Sequence, residues 1–220
     1  MGVGQECRMR LDHISFAVGK DGLAGTTVTL SGLLNSKFYD GGVHPRFGTR
    51  NMIMPLKNRM YLEVVEVLDH PASEKAAFGK AVRARSEAGG GWLGWVVAVD
   101  DMEAVERRIG RHAVPGNRRR PDGINMEWRQ IGVSGTAADP QLPFVISWDT
   151  DASEHPSQAG TPEVELTALE IAGDPKRVSD WLGEPAIEAL EGLEVKWIAP
   201  HGTPGIVAAV FTTADGEVRI

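Results

Sequence analysis

Two residues fifty positions apart have the types and the setting to do chemistry together. His13 lies in the largely apolar run 11–18, and Glu63 lies in the largely apolar run 61–65. Each run has the length and composition of a β-strand that is interrupted by a polar side chain. An imidazole and a carboxylate that face one concave surface could begin a metal site or form an acid–base pair.

The alternation of side chains along a strand predicts which faces these residues occupy. In the first run, Asp12, Ile14 and Phe16 should share one face, and His13 should lie on the other. In the second run, Leu62 and Val64 should share the face opposite Glu63. We therefore expect the apolar faces to pack against a helix or another apolar layer. His13 and Glu63 should then point to the concave side.

The elements around these strands follow a pattern that restarts twice along the chain. A strand, a connector or helix, and two or three further strands occur in residues 1–88, again in 89–155, and in shorter form in 160–220. Three such units predict an α+β protein built from repeated βαβββ modules. Each module has a sheet face that needs cover, so we expect a curved mixed sheet around a cup-shaped pocket, with helices on the outside.

Composition limits the function classes. The net charge is −7, which argues against general nucleic-acid binding, and no apolar run approaches the length of a membrane span. The single cysteine, Cys7, excludes an intrachain disulfide, so a cytoplasmic location is expected by default. The basic run 118–120 lies in a stretch rich in Pro, Gly and Asn, where a solvated loop is favoured over an anion clamp.

Several segments resemble the glyoxalase-like branch of the vicinal oxygen chelate superfamily, which is widespread in bacteria. The first strand around His13 and the strand around Glu63 are similar to the opening and closing strands of one module of that superfamily. Segments 44–51, 120–123, 126–129 and 142–148 add to the resemblance in their order and spacing. The resemblance covers most of the chain.

This resemblance implies a site in which a divalent metal (Zn, Mn, Fe, Ni or Mg) chelates a substrate through adjacent oxygens. The ligands would come from the first and last strands of two modules, which places His13 and Glu63 in the ligand positions of the first module. The second module departs from the pattern, since it offers Gly94 or Trp95 and then Ser147 at the corresponding positions. His44 could donate a third ligand from a loop. We therefore expect either no metal or a weakly bound one.

Other polar and aromatic residues are candidates for ligand binding at the same pocket. Arg50 could pair with a carboxylate or phosphate, and a solvated hairpin is an equal alternative for it. Asn51, Trp128 and Ser147 occupy strand positions that match the cup implied by the resemblance. Ser147 in particular is expected to face Glu63.

Two functions remain open from the sequence. In the first, His13 and Glu63 are catalytic residues of a lyase or isomerase that acts on a carbonyl or vicinal-oxygen substrate. In the second, the protein is a metal-free module that binds or sequesters a small molecule between aromatic walls, as bleomycin-binding relatives do. The expected partner is a small molecule in either case. The modules could pair within one chain or across a homodimer, and the residues leave both arrangements open.

Overall fold

A computed structural model describes residues 9–183, 190, 192–199 and 203–220, so Cys7 lies outside the described residues. The first group of elements spans the strands that carry His13 and Glu63. Its members are β1 Met9–Ala17, α1 Gly22–Leu34, β2 Tyr39–His44, β3 Thr49–Leu56 and β4 Met60–Val67. Two helices follow, α2 Pro71–Lys75 and α3 Ala77–Glu87. Among the described residues, no helix is long and apolar enough to cross a membrane.

The second and third groups repeat this order of elements, with one short helix added in the second. The second contains β5 Gly91–Val99, α4 Met102–Ile109, β6 Val114–Arg119, β7 Asn125–Ile131, α5 Val133–Thr136 and β8 Phe144–Trp148. Two 3-10 turns, Ala152–Glu154 and Pro156–Gln158, follow β8. The third contains β9 Glu165–Ala172, α6 Pro175–Leu182, β10 Glu194–Ile198, β11 Gly205–Thr213 and β12 Gly216–Arg219. The predicted α+β class with a curved mixed sheet is confirmed, whereas the division into folding units 1–88, 89–155 and 160–220 stays a prediction.

Local sequence explains where several helices begin. Asp101 accepts a hydrogen bond from the backbone N–H of Ala104 at the start of α4. Asp174 accepts one from the backbone N–H of Lys176 at the start of α6, where Pro175 occupies the first helical position. These carboxylates satisfy N–H groups that have no partner within the helix.

The first eight strands close into a barrel in the order β1-β4-β3-β2-β6-β7-β8-β5. Each half of the barrel is a four-stranded sheet with one parallel pair, β1 with β4 and β5 with β8. The two halves join along an extended antiparallel pairing of β1 with β5. At the opposite seam, β2 meets β6 through the single residue pair Val43 and Arg119. The barrel is therefore closed firmly on one side and only narrowly on the other.

Two apolar clusters stabilise this arrangement on opposite faces of the barrel wall. The outer cluster joins Ile14, Leu62 and Val64 to the helices and to the four-stranded sheet β10-β9-β11-β12. The inner cluster contains Val65 and Val96 together with Phe47, Phe78, Trp128, Phe144 and Ile146. The outward-facing residues predicted from alternation thus lie in the outer core.

The structure corrects the expectation of a solvated loop at residues 118–120. Arg118 lies on β6 and is 3% exposed, while its neighbour Arg119 is exposed. Strand alternation turns the first inward and the second outward. The Pro- and Gly-rich composition of this segment favours a loop, so the strand was not recognised in the sequence. In the structure, β6 pairs with β7 over six residues.

Candidate functional site

A pocket inside the barrel brings together polar and aromatic side chains from both halves of the barrel. Its polar lining consists of His13, His44, Tyr61, Glu63, Arg118 and Gln130. Its apolar lining consists of Phe47, Phe78, Trp128, Phe144, Ile146 and Trp148. The free volume inside the pocket is about 30 Å³. Both His13 and Glu63 face this pocket, on the side that alternation predicts.

The imidazole of His13 is held by the residue immediately before it in the chain. Its Nδ1 lies 2.9 Å from Oδ2 of Asp12, and its ring stacks on Tyr61 with 4.3 Å between ring centroids. Asp12 was expected on the opposite face of β1. The pairing of β1 with β5 shifts register between Leu11 and His13, and this irregularity breaks the alternation at Asp12.

Asp12 is fully buried and is surrounded by donors. Besides His13, its carboxylate accepts hydrogen bonds from Nε2 of His155 at 3.0 Å, Nη1 of Arg10 at 3.0 Å and Nε1 of Trp148 at 3.3 Å. Burial alone raises the pKa of this carboxyl, but the hydrogen bonds and charges of His13 and His155 outweigh it, so that the pKa lies far below its usual range. Asp12 is therefore ionised and can only accept, which puts a proton on Nδ1 of His13.

His155 is a functional candidate that the sequence did not reveal. The residue precedes a proline, a setting typical of a surface turn, yet it is 5% exposed. Its Nδ1 accepts a hydrogen bond from the backbone N–H of Ser157 at 3.2 Å, while Nε2 donates to Asp12. The turn after β8 thereby brings the side chain of residue 155 to the carboxylate of residue 12. No local sequence pattern predicts such a contact.

The carboxylate of Glu63 is held in place by two neighbouring side chains. Its Oε2 accepts from the hydroxyl of Ser15, and its Oε1 accepts from the side-chain amide of Asn51, each at 2.7 Å. Ser15 stands directly opposite Glu63 in the parallel pairing of β1 with β4. Burial raises the pKa of the Glu63 carboxyl, but His13, His44 and these hydrogen bonds outweigh burial and lower it. Glu63 is thus a positioned carboxylate anion.

His44 is a neutral neighbour of this anion. Its Nδ1 lies 2.9 Å from the hydroxyl oxygen of Thr49, and its Nε2 lies 3.9 Å from Oε1 of Glu63. Burial lowers the pKa of His44 to about 4, although Glu63 opposes the shift and Arg118 and His13 add to it. His44 is therefore uncharged near neutral pH.

Two further groups in the pocket can donate hydrogen bonds. Burial and the charges of Asp12 and Glu63 raise the pKa of the Tyr61 phenol well above 10.0, so it keeps its proton. Gln130 accepts from Nε1 of Trp128 at 2.7 Å through its Oε1, which orients its amide nitrogen away from that indole. Both side chains line the pocket.

The structure brings some of the predicted ligand-binding residues to the pocket and leaves others outside. Trp128 lines it, and Asn51 supports it through Glu63. Arg50 lies on the other face of β3, where its guanidinium is half exposed and pairs with Glu66. Ser147 is buried but lines a separate outer cavity, because Phe144, Ile146 and Trp148 are the residues of β8 that face the pocket. The expectation that Ser147 faces Glu63 is therefore wrong by one residue of register.

The side chains in the pocket do not fit a resident divalent metal. Among the described residues, no group of three or more His, Cys, Asp or Glu side chains could hold one. Both oxygens of Glu63 already accept hydrogen bonds, and the cation of Arg118 lines the same pocket. A second cation there would be repelled with only one pocket carboxylate to compensate. His44 thus does not complete the three-residue site considered above.

Comparisons with known proteins place this fold. A family model described as a glyoxalase-like domain matches residues 11–186. A hypothetical protein from Staphylococcus aureus has a similar structure, with a TM-score of 0.71, 14% sequence identity, and coverage of 94% of this chain and 92% of that one. Methylmalonyl-CoA epimerase from Mycobacterium tuberculosis is 16% identical with a TM-score of 0.42, covering 63% of this chain and 86% of that one. No match was found among proteins with curated descriptions.

Proposed function

We propose that this chain, which belongs to the family of proteins with a glyoxalase-like domain, catalyses proton transfer at a carbon next to a carbonyl group of a small molecule. The observation that carries the proposal is the pair formed by His13 and the buried, ionised Asp12. With the proton on Nδ1 alone, Nε2 has a free lone pair and can act as a base. Nε2 makes no hydrogen bond within the described part of the chain, and the ring lines the pocket.

In the proposed step, Nε2 of His13 removes a proton from the carbon next to the carbonyl. The C–H bond breaks, its electron pair moves toward the carbonyl oxygen, and an enolate forms. Asp12 stabilises the imidazolium that results, as a carboxylate does in other histidine pairs. Return of a proton to the same carbon regenerates the carbonyl compound, with exchange of the hydrogen or inversion of configuration at that carbon.

The remaining pocket groups suit the charges that develop. The phenol of Tyr61 and the amide of Gln130 can donate to the enolate oxygen, as in an oxyanion site. Glu63 provides a second negative charge near the protonated ring, and its lowered pKa makes it the weaker base. We therefore assign His13 as the base and Glu63 as an electrostatic partner.

Exchange of solvent deuterium into a panel of small aldehydes, ketones and 2-oxo acids, followed by proton NMR, tests this function. The unmodified protein should catalyse exchange at the carbon next to the carbonyl, and His13→Gln should lower the rate by about 10²- to 10⁴-fold. The control variant His112→Gln changes an exposed histidine and should leave the rate unchanged. Full exchange activity in His13→Gln would contradict the assignment of the base.

A second function, metal-free binding of a small molecule without turnover, is favoured by the apolar half of the pocket. Trp128 and Trp148 approach each other with 5.4 Å between centroids, and Phe144 and Phe78 lie beside them in the same pocket. Such walls suit a flat apolar ligand. Binding that quenches tryptophan fluorescence, with no deuterium exchange for any compound of the panel, would favour this function over catalysis.

A further inference from the structure

Arg118 is a buried cation that forms no salt bridge with a carboxylate of the described residues, although the charges of Glu63 and Asp40 favour its protonated form. It is 3% exposed, and its Nε has no hydrogen-bond partner there. Its one hydrogen bond within the described part of the chain runs from Nη2 to the sulfur of Met126 at 2.8 Å, and a thioether is a weak acceptor. More exposed arginines do pair with carboxylates: Arg50, Arg120, Arg177 and Arg219.

Burial without a partner is costly for a charge, and an arginine stays protonated even where burial lowers its pKa. Folding alone therefore gives no reason to keep a guanidinium at this position. The rigid fork of N–H donors matches the two oxygens of a carboxylate. An anionic ligand would supply the acceptors that the protein itself does not provide.

The position of Arg118 joins the inner pocket to the outside. The residue lines both the pocket that contains His13 and an outer cleft of about 490 Å³. This cleft lies beside the narrow seam where β2 meets β6 through one residue pair. Arg118 therefore contacts both the cleft and the pocket that contains the imidazole of His13.

We propose that Arg118 binds the carboxylate of the substrate, and that the substrate class is a small oxo-carboxylic acid. The carboxylate part stands on the contacts of Arg118 alone, whereas the oxo group rests on the proposed function. Glu63 repels a second anion from its own side of the pocket, which directs the carboxylate to Arg118.

Tryptophan fluorescence provides the binding test, because Trp128 and Trp148 line the pocket. The probes are 2-oxo acids from glyoxylate to 2-oxopentanoate, each compared with its neutral amide and with inorganic phosphate. The proteins are the unmodified chain, Arg118→Met, and Arg119→Met as the matched control. Arg119 is the last residue of β6 and is exposed, so its substitution removes the same charge from the same strand.

We expect the unmodified protein to bind at least one 2-oxo acid about 10-fold or more tightly than its amide. Arg118→Met should lose about 30-fold in affinity for the acid and little for the amide, while Arg119→Met should bind as the unmodified protein does. The melting temperature of Arg118→Met should be unchanged or higher, since an unpaired buried charge has been removed. A preserved fold together with lost binding identifies a ligand-binding role rather than a structural one.

Three results would overturn the proposal: no binding of any acid of the panel, equal affinity of Arg118→Met, or tighter binding of phosphate than of the acids. The same titrations on His13→Gln separate this proposal from the proposed function. Retained binding of the acid without deuterium exchange in any protein would refute proton transfer and leave the carboxylate site standing. Deuterium exchange could instead be as fast on neutral ketones as on the acids, and as fast in Arg118→Met as in the unmodified protein. That result would refute the carboxylate site and leave proton transfer standing.

Discussion

Nδ1 of His13 lies 2.9 Å from Oδ2 of Asp12, its immediate neighbour in β1. In a regular strand, adjacent side chains point to opposite faces and do not meet. The register shift against β5 between Leu11 and His13 allows this contact. A local irregularity thereby turns two consecutive residues into a base and its orienting carboxylate, and β-bulges are known to re-aim side chains next to active sites.

Replacement of Asp12 tests this pair. Asp12→Asn removes the negative charge that orients Nδ1 of His13 and compensates Arg10. We expect the rate of deuterium exchange to fall about 10²- to 10⁴-fold. The free energy of unfolding should fall by about 3 kcal/mol, because a buried ionic network loses its centre. Exchange by NMR and unfolding in urea measure the two effects.

The control for this variant is Asp100→Asn, which neutralises an exposed carboxylate at the end of β5. It should change the free energy of unfolding by no more than about 0.5 kcal/mol, and it should leave the rate of deuterium exchange nearly unchanged. A fully active Asp12→Asn protein with native circular dichroism would show that Asp12 does not orient the base.

The dependence of stability on pH should carry a signature of His44. The pKa of His44 is about 4 in the folded chain, against an ordinary value of 6.5, because burial disfavours its charged form. Below pH 6.5, His44 binds a proton in the unfolded chain but not in the folded chain, so the free energy of unfolding falls as the pH is lowered. Between pH 7 and pH 5 this one group should reduce the free energy of unfolding by about 2 kcal/mol.

Urea unfolding of the unmodified protein and of His44→Gln at both pH values measures this effect. The variant should lose about 2 kcal/mol less than the unmodified protein on going from pH 7 to pH 5. The pKa values of Asp12 and Glu63 are lowered in the folded chain, so these groups contribute stability that begins to be lost only below their unfolded values of 3.8 and 4.5. His112→Gln serves as the exposed control, and equal pH dependence of all three proteins would contradict the burial of a neutral His44.

Gly41 should be intolerant of a side chain because it packs against the support of Glu63. A Cβ at this position would overlap Oδ1 of Asn51 and approach Cδ1 of Ile53 to 2.9 Å. Gly41→Ala should therefore displace the amide that holds Glu63, reduce the free energy of unfolding by about 1–3 kcal/mol, and lower the rate of deuterium exchange. Thermal unfolding and the exchange assay measure the two consequences.

The matched control is Gly32→Ala in α1, where nothing lies within 4 Å of the new Cβ. Alanine in a helix interior should raise stability there by about 1 kcal/mol. If Gly41→Ala behaved like Gly32→Ala, the close packing around Asn51 would not matter for the site.

Two neighbouring substitutions on β8 distinguish the pocket face from the outer face. Ile146→Glu places a carboxylate in the pocket with Glu63 and the two histidines, whereas Ser147→Glu places it in the outer cavity. We expect calorimetric titration with Zn²⁺ or Mn²⁺ to show tighter binding for Ile146→Glu than for the unmodified protein, and no gain for Ser147→Glu. A gain in Ser147→Glu alone would reverse the assignment of faces.

The sequence by itself was sufficient for the α+β class with a curved sheet and for the two residues that open the site. Strand alternation is a local property with a period of two, so the positions of His13 and Glu63 relative to Ile14, Leu62 and Val64 follow from a few consecutive residues. Their apolar neighbours do lie in the outer core, and both polar side chains line the pocket. The helix starts at Asp101 and Asp174 depend on equally local hydrogen bonds.

The tertiary structure decided what those residues can do. Asp12 reaches His13 because β1 shifts register against β5, His155 reaches Asp12 across 143 positions, and Arg118 reaches the pocket because β6 closes the barrel against β2. Ser147 was assigned to the wrong face for the same reason, since the register of β8 depends on its pairing with β5 and β7. Local patterns carry no information on pairing between distant strands, and that pairing sets which buried charges meet.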